Sequence, residues 1–439
     1  MSSPMPPPGP LPPATAEPPS SDHGTRLDTV FRTAAARLGG RLVRWPWWAQ
    51  VAAVYVAARL VSAGIFMSAA LHQGFNPWFP AKPDYWNFIN IWDARWYESV
   101  MTGGYPNELP VDAAGSVQEN TWAFYPLFPT LGRMLSAATG LSPAAALILT
   151  AMLAGLAASL VVYVLFRTRA AHWPALWGVA FFSTFPVSPV LQVPYAESLN
   201  LLLLSAALLL VVRRRYLWAI PVVLAMCLSR PTGVPFAATI GILFLYRAGE
   251  AWFGARNQGL AAKGRRIHGR NELWSLAGLT AVSGAGALAW PAVAWAATGD
   301  IAAYTKTETV WRGHDLVPFK PWFDTGVLLF GPVLGLVAPF VFVAVFGLFM
   351  ASPPVRRLGT ELRLWCVCYM GYLVVFLHPQ TSTFRMLLPL FPLALAAALV
   401  SRSRAYRGAV ITMFVLLQIV WVVWLWAWAQ LPGGGDYPP

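Results

Sequence analysis

The chain has 439 residues, of which 57% are hydrophobic and 11% charged, with a net charge of +13. Soluble domains carry about 25% charged residues, so this composition excludes a water-soluble enzyme and indicates a polytopic membrane protein. The positive excess lies in short loops between apolar runs and therefore reads as membrane orientation, which excludes nucleic acid as the partner.

Residues 1–25 are rich in Pro and Ser and cannot bury enough apolar surface to fold, so 1–46 is expected to be a disordered cytoplasmic tail with a basic anchor. No short apolar run near Met1 suggests a signal peptide. Arg26, Arg32, Arg37, Arg41 and Arg44 precede the first apolar segment and hold the N-terminus on the cytoplasmic side. That segment, 47–71, opens an all-α membrane domain expected to run from 47 to 430, followed by a short extracytoplasmic tail at 431–439.

A long, acid-leaning loop comes next, with Asp84, Asp93, Glu98, Glu108, Asp112 and Glu119. The stretch 124–139 is too short for a span and carries Arg133 and two prolines near its start, so it is predicted to be a helix on the extracytoplasmic surface. Ten further spans are predicted at 143–166, 173–191, 198–212, 216–228, 234–246, 273–297, 323–350, 362–377, 384–400 and 408–429, which makes about eleven in all. This arrangement places 22 of the 31 Lys and Arg on the cytoplasmic side, as orientation by positive charge requires. Making 124–139 a span would send most of the basic loops outside.

The unusual polar residues then collect on the extracytoplasmic side. Trp92-Asp93-Ala94-Arg95-Trp96-Tyr97 packs an acid, a base and three aromatics into six residues. Tyr195-Ala196-Glu197-Ser198 sits at an outer mouth, Ser229-Arg230-Pro231-Thr232-Gly233 forms an outer turn, and His378 to Arg385 forms another. The outer loop 298–322 adds Lys306, Glu308, Arg312, His314, Asp315 and Lys320. Each group has a plain alternative: aromatics anchored at headgroups, Glu197 answering a helix dipole, Arg230 reaching for lipid phosphates. Arg385 is expected in the first turn of an entering helix, where the dipole disfavours a cation unless an anion lies beside it.

Acids and cations together on one face, above apolar spans, suit a reaction on a lipid-linked phosphate. Cations hold the phosphate and a carboxylate accepts a proton from an attacking hydroxyl. No P-loop and no Gly-x-Gly-x-x-Gly follows a strand, so a nucleotide-sugar donor and ATP-driven transport are excluded. Cys227, Cys366 and Cys368 lie in apolar runs without zinc spacing, and no Asp-x-Asp appears in the outer loops, so no cofactor is implied. The rival class is a lipid or polysaccharide transporter or flippase, which places ionisable residues near the bilayer midplane and often shows paired repeats. Only Arg59 is clearly mid-span, and the halves show no repeat.

Trp92-Asp93 with Tyr97, Gly104-Tyr105 with Glu108, Ala123 through Pro129, and Tyr195 through Leu199 occur in an order that resembles the PIG-V family. These are mannosyltransferases of the GT-C superfamily that include GPI mannosyltransferase II. Arg230-Pro231-Thr232-Gly233 is similar to a later outer turn of that family. The resemblance covers about residues 90–390, and the Arg-rich, Ala-rich usage is that of a bacterial member. It implies an inverting GT-C-like mannosyltransferase of the plasma membrane, acting outside the cytoplasm. The donor would be polyprenyl-phosphate-mannose and the acceptor a lipid, glycan or protein. The first-loop acid maps to Asp93 and the second to Glu197. Arg230, Arg385, Lys320 and Arg312 would hold the donor phosphate. Trp92, Arg95, Tyr97, Tyr125, Tyr195 and His378 would line the substrate groove.

Overall fold

A computed structural model describes residues 44–256, 269–312 and 317–430. The chain divides into two compact units, Met1–Gln50 and Val51–Pro439. In the first, the described residues form a turn and the opening of a helix, where the Gln50 amide donates to the Trp45 carbonyl at 2.8 Å. The second unit carries the remaining helices and the site.

The helices are α1 (Trp47–Ala70), α2 (Asp93–Gly103), α3 (Leu127–Thr139), α4 (Pro143–Arg167), α5 (His172–Thr184), α6 (Glu197–Val212) and α7 (Tyr216–Cys227). They continue as α8 (Gly233–Arg256), α9 (Arg270–Thr298), α10 (Ala303–Arg312), α11 (Lys320–Met350), α12 (Gly359–Phe376), α13 (Pro392–Val400) and α14 (Arg404–Val420). No strand occurs among the described residues beyond an isolated bridge between Val111 and Val117. The protein is an all-α, multi-pass membrane protein.

Every expected span contains a helix, but among the described residues five helical segments are long and apolar enough to cross a bilayer, or six if the bent pair Thr381–Leu390 and Pro392–Val400 is one span. The shortfall from eleven has a physical cause. Proline removes a donor and clashes with the preceding turn, so it cuts apolar runs short. Pro189 lies in a 3-10 turn after α5, Pro221 lies inside α7, and Pro389 lies in the 3-10 stretch before α13.

The span expected at 323–350 is one of these five, but it is not one continuous helix. Its helix breaks at Gly331, whose φ of 78° and ψ of 175° suit only glycine, and Pro332 follows. The two arms fold back on each other: Trp322 stacks on Phe342 at 5.3 Å and Phe323 meets Phe340 edge-on at 5.5 Å. Gly326 and Gly335 touch backbone to backbone, where any Cβ would collide. The second arm, 332–350, covers about 28 Å at 1.5 Å per residue and can cross hydrocarbon alone.

The stretch expected on the surface is α3, and Arg133 on it has a local purpose. Its guanidinium donates to the Met101 carbonyl at 2.7 Å and the Val100 carbonyl at 3.0 Å, capping the free end of α2. The loop between α2 and α3 is fixed by an aromatic cluster in which Trp290 donates to the Trp122 carbonyl at 3.0 Å and Tyr125 meets Tyr304 at 3.1 Å.

The two ends of the helical unit differ in chemistry. At one end Arg169 pairs with Glu361 at 2.6 Å, Arg247 with Glu361 at 2.8 Å and Glu272 at 3.3 Å, and Arg214 with Glu272 at 2.9 Å. Arg214 follows the C-terminus of α6, so this ladder lies a full helix length from Glu197 at the N-terminus of α6. Asp93, Arg230 and Arg385, singled out from the sequence, gather with Glu197 at the other end.

Candidate active site

Asp93 opens α2, and the residue before it fixes where it stands. Trp92 has φ of 57° and ψ of −127°, a conformation rare for any residue with a Cβ. It is held by an indole hydrogen bond to the Trp426 carbonyl at 2.8 Å and an edge contact with Trp78 at 5.0 Å. The Asp93 backbone amide then donates to the Tyr195 hydroxyl at 3.2 Å. Trp92 and Tyr195, expected to line the groove, are therefore buried supports behind it.

Glu197 opens α6, where the helix dipole favours a carboxylate. One turn further on, the Asn200 amide donates to the Ser229 hydroxyl at 2.9 Å and the Thr232 hydroxyl at 2.8 Å. Those bonds hold the turn carrying Arg230 against α6, so Arg230 forms an ion pair with Glu197. Asn200 is the one amide side chain in a helix that is apolar from Leu201 onwards apart from Ser205, and that signal was available in the sequence.

Arg385 closes the set. Its Nη1 donates to Asp93 Oδ2 at 2.5 Å and to Glu197 Oε1 at 3.1 Å, and its guanidinium lies over the Tyr195 ring at 5.2 Å. The expected setting at a helix N-terminus is not what the chain adopts. Arg385 sits midway along the 3-10 stretch Thr381–Leu390, and its anions are two carboxylates of this chain. Asp93, Glu197 and Arg385 are each less than a tenth exposed. Two acids and two arginines make a buried group of zero net charge. Within it Glu197 Oε2 has no hydrogen-bond partner among the described residues.

All four side chains line one cavity of about 220 Å³, which Tyr97, Tyr125 and His378 also line. Burial pushes the Tyr97 hydroxyl well above the ordinary phenol range, so it serves as a neutral hydrogen-bonding group. The opposite wall is formed by Glu308 and Trp311 of α10 with Tyr369 and Tyr372 of α12. Sequence reasoning named Glu308 among the polar residues of the outer loop without giving it a role, and it did not single out the three aromatics. Glu308 sits in a polar helix and the rest are aromatics among many.

Other expected residues lie elsewhere. Arg95 pairs with Glu98 at 3.3 Å on the rim and does not line the cavity. Lys320 is exposed and pairs with Asp324 at 2.5 Å. Arg312 closes α10, but its side chain lies outside the described residues, as do His314 and Asp315.

An apolar groove of about 460 Å³ adjoins the cavity, sharing Leu373, Leu377 and Leu388 with it. Phe181, Phe182 and Phe185 form one side and Trp322, Phe342 and Phe346 of the α11 hairpin the other. Among the described residues, no three His, Cys, Asp or Glu side chains are gathered so as to hold a metal ion.

No protein-family model matches the chain. No curated protein sequence matches it either. Among solved structures, the chain is similar to the Archaeoglobus fulgidus oligosaccharyltransferase complex with zinc and sulfate, at 15% identity and a TM-score of 0.44, over 84% of this chain and 53% of that one. The same organism's oligosaccharyltransferase AglB, in complex with an inhibitory peptide and a dolichol-phosphate, matches at 14% identity and a TM-score of 0.43, over 85% and 55%. The apo form matches at 14% identity and a TM-score of 0.43, over 87% and 56%. The chain thus spans about half the length of these archaeal proteins.

Proposed function

We propose that the chain is a GT-C-type membrane glycosyltransferase that moves a sugar, mannose, from a polyprenyl-phosphate donor to an acceptor hydroxyl with inversion. The observation that supports it is the convergence of Asp93, Glu197, Arg230 and Arg385 on one cavity that opens into an apolar groove. A lipid-phosphate sugar is one polar unit on an apolar chain, and this pair of adjoining spaces matches that division. The motif order shared with the PIG-V mannosyltransferases supports mannose as the sugar. A flippase would carry its charges near the midplane, whereas Asp93 and Glu197 open their helices, Arg230 lies in the turn between α7 and α8, and Arg385 lies in a 3-10 stretch beside them.

In the mechanism, the donor phosphate enters between Arg230 and Arg385 and takes over guanidinium hydrogen bonds that the carboxylates hold in the free protein. That exchange frees Asp93 to accept a proton. The acceptor oxygen attacks the anomeric carbon, its proton passes to the Asp93 carboxylate, and the bond from that carbon to the phosphate oxygen breaks. Polyprenyl phosphate leaves with the electron pair, gaining negative charge as it does, and the two arginines stabilise that gain. Glu197 orients the arginines and, through Oε2, the acceptor. In this reading the site faces the extracytoplasmic side of a plasma membrane.

The test is purified protein with radiolabelled polyprenyl-phosphate mannose and a panel of lipid, glycan and protein acceptors. Label transfer by the wild type and its loss in Asp93→Asn is the expected result. Equal transfer by both proteins would remove the assignment.

A further inference from the structure

Arg59 is a cation in the middle of α1, and nothing in the proposed chemistry uses it. A charged residue at such a depth is costly unless its hydrogen-bonding needs are met. Among the described residues Arg59 has no carboxylate partner. Its Nη2 donates to the Ser183 carbonyl at 2.5 Å and the Ser188 hydroxyl at 2.9 Å, and its Nη1 donates to the Ser188 carbonyl.

These acceptors belong to a break in the backbone. Helix α5 ends at Thr184, Pro186 follows, and a 3-10 turn runs over Ser188–Gln192. Carbonyls released at such a break have no water to bond inside a membrane, so each is costly unless a side-chain donor reaches it. They also form the negative end of the α5 dipole. A guanidinium answers both needs. Gln418 adds a bond to the Thr184 carbonyl at 2.8 Å, and Ser62 bonds Gln418 at 2.9 Å.

The held segment leads directly into the site. Leu191, in the 3-10 turn, has its carbonyl bonded by Tyr55 of α1 at 3.3 Å and by the Ser198 hydroxyl at 3.1 Å. Tyr195 and Glu197 follow at once. One supports Asp93 and lies under Arg385, and the other pairs with both arginines.

We propose that Arg59 is a positioning residue: its guanidinium holds the proline break between α5 and α6 and thereby sets where the Glu197 carboxylate stands. The inference rests on the glycosyltransferase reading for its kinetic arm only. A shift of about 1 Å at a reacting group can cost roughly 100-fold in rate, so the expected loss of kcat in Arg59→Gln is about 10- to 100-fold. Arg59→Lys keeps the charge at the dipole and should recover part of that loss.

The decisive readout is coupling, measured in the full-length protein in nanodiscs. If Arg59 acts through Glu197, Arg59→Gln lowers kcat in the wild-type background and costs little more in a Glu197→Gln background. Equal losses in the two backgrounds would overturn the proposal. Hydrogen–deuterium exchange provides the arm that needs no activity: faster exchange should be confined to 186–199. Uniform acceleration, or none, would overturn it as well. A wild type that transfers no sugar would sink the glycosyltransferase reading, while the exchange pattern still decides the role of Arg59. Where Arg59→Gln does not accumulate as folded protein, Arg59→Lys carries both measurements.

Discussion

Arg385 Nη1 stands 2.5 Å from Asp93 Oδ2, although 292 residues separate the two in the chain. The same nitrogen reaches Glu197 Oε1 at 3.1 Å. One guanidinium therefore joins the first loop, the mouth of α6 and the late 3-10 stretch. In the proposed mechanism its partners rearrange when the donor phosphate arrives. This makes conservative substitutions at Arg385 more informative than deletion.

Arg385→Ala leaves two buried carboxylates to share Arg230. Removing one partner of a buried ion pair costs about 3–5 kcal/mol, so this variant should unfold at a clearly lower temperature. Arg385→Lys retains the charge and should fold, but it loses the fork that grips two phosphate oxygens. The expected result is weaker binding of polyprenyl phosphate by Lys than by Arg, measured by titration. Superimposed titrations would show that Arg385 is a structural tie only.

Asp93→Asn keeps the shape and one acceptor oxygen, and the Asp93 amide bond to Tyr195 is a backbone bond that persists. Folding and donor binding should survive, while transfer falls about 10²- to 10⁴-fold, the usual worth of a general base. Initial rates with labelled polyprenyl-phosphate mannose measure it, and wild-type turnover would remove Asp93 from the mechanism.

Much of this site was legible before the fold was known, because carboxylates and guanidiniums are rare in a chain with 11% charged residues. Rarity together with position in the expected outer loops brings out Asp93, Glu197, Arg230 and Arg385, along with Lys320 and Arg312. Composition could not separate Trp92 and Tyr195, which brace the site from behind, from Tyr97 and Tyr125, which line it. That difference depends on packing between distant segments, such as Trp92 against Trp426. Lys320 was misleading because a local partner, Asp324, satisfies it four residues on. The fold in α11 was signalled by Gly331-Pro332, yet the surrounding hydropathy is so high that length dominated the reading.

Asn200→Ala should separate positioning from charge. It removes the amide that ties Ser229 and Thr232 to α6 without touching an ionisable group. Leaving those buried hydroxyls without that donor costs about 1–3 kcal/mol. Arg230 should become mobile, with a modest fall in thermal stability and a larger fall in polyprenyl-phosphate affinity. Unchanged affinity would mean that Arg230 is held by Glu197 alone.

Orientation is testable through the ionic ladder at the far end. Arg169 and Arg214 pair with Glu361 and Glu272 there, so both should lie on one face of the membrane, opposite Val111 in the first loop. Reporter fusions at Arg169 and Arg214 should read cytoplasmic and a fusion at Val111 external. Fusions at Gly259 and Gly313, which lie outside the described residues, should read cytoplasmic and external. An external signal at Arg214 would invert the proposed topology.

The hairpin in α11 should matter to the lipid tail and not to the sugar. Trp322 and Phe342, stacked across the fold, form one side of the apolar groove, and the fold is tight because Gly326 meets Gly335 backbone to backbone. A leucine at Gly326 would collide with the Gly335 carbonyl and force the arms apart. A Cβ at Gly347, in the second arm, meets nothing within 4 Å, so Gly347→Leu serves as the control. Both substitutions add the same apolar surface, so any difference between them reports the geometry of the hairpin. Gly326→Leu should weaken binding of long-chain polyprenyl phosphate while leaving a short-chain analogue nearly unaffected, because the cavity around Asp93 is not lined by α11. Gly347→Leu should change neither. An equal loss for long and short chains would mean that the hairpin shapes the polar cavity and not the groove for the tail.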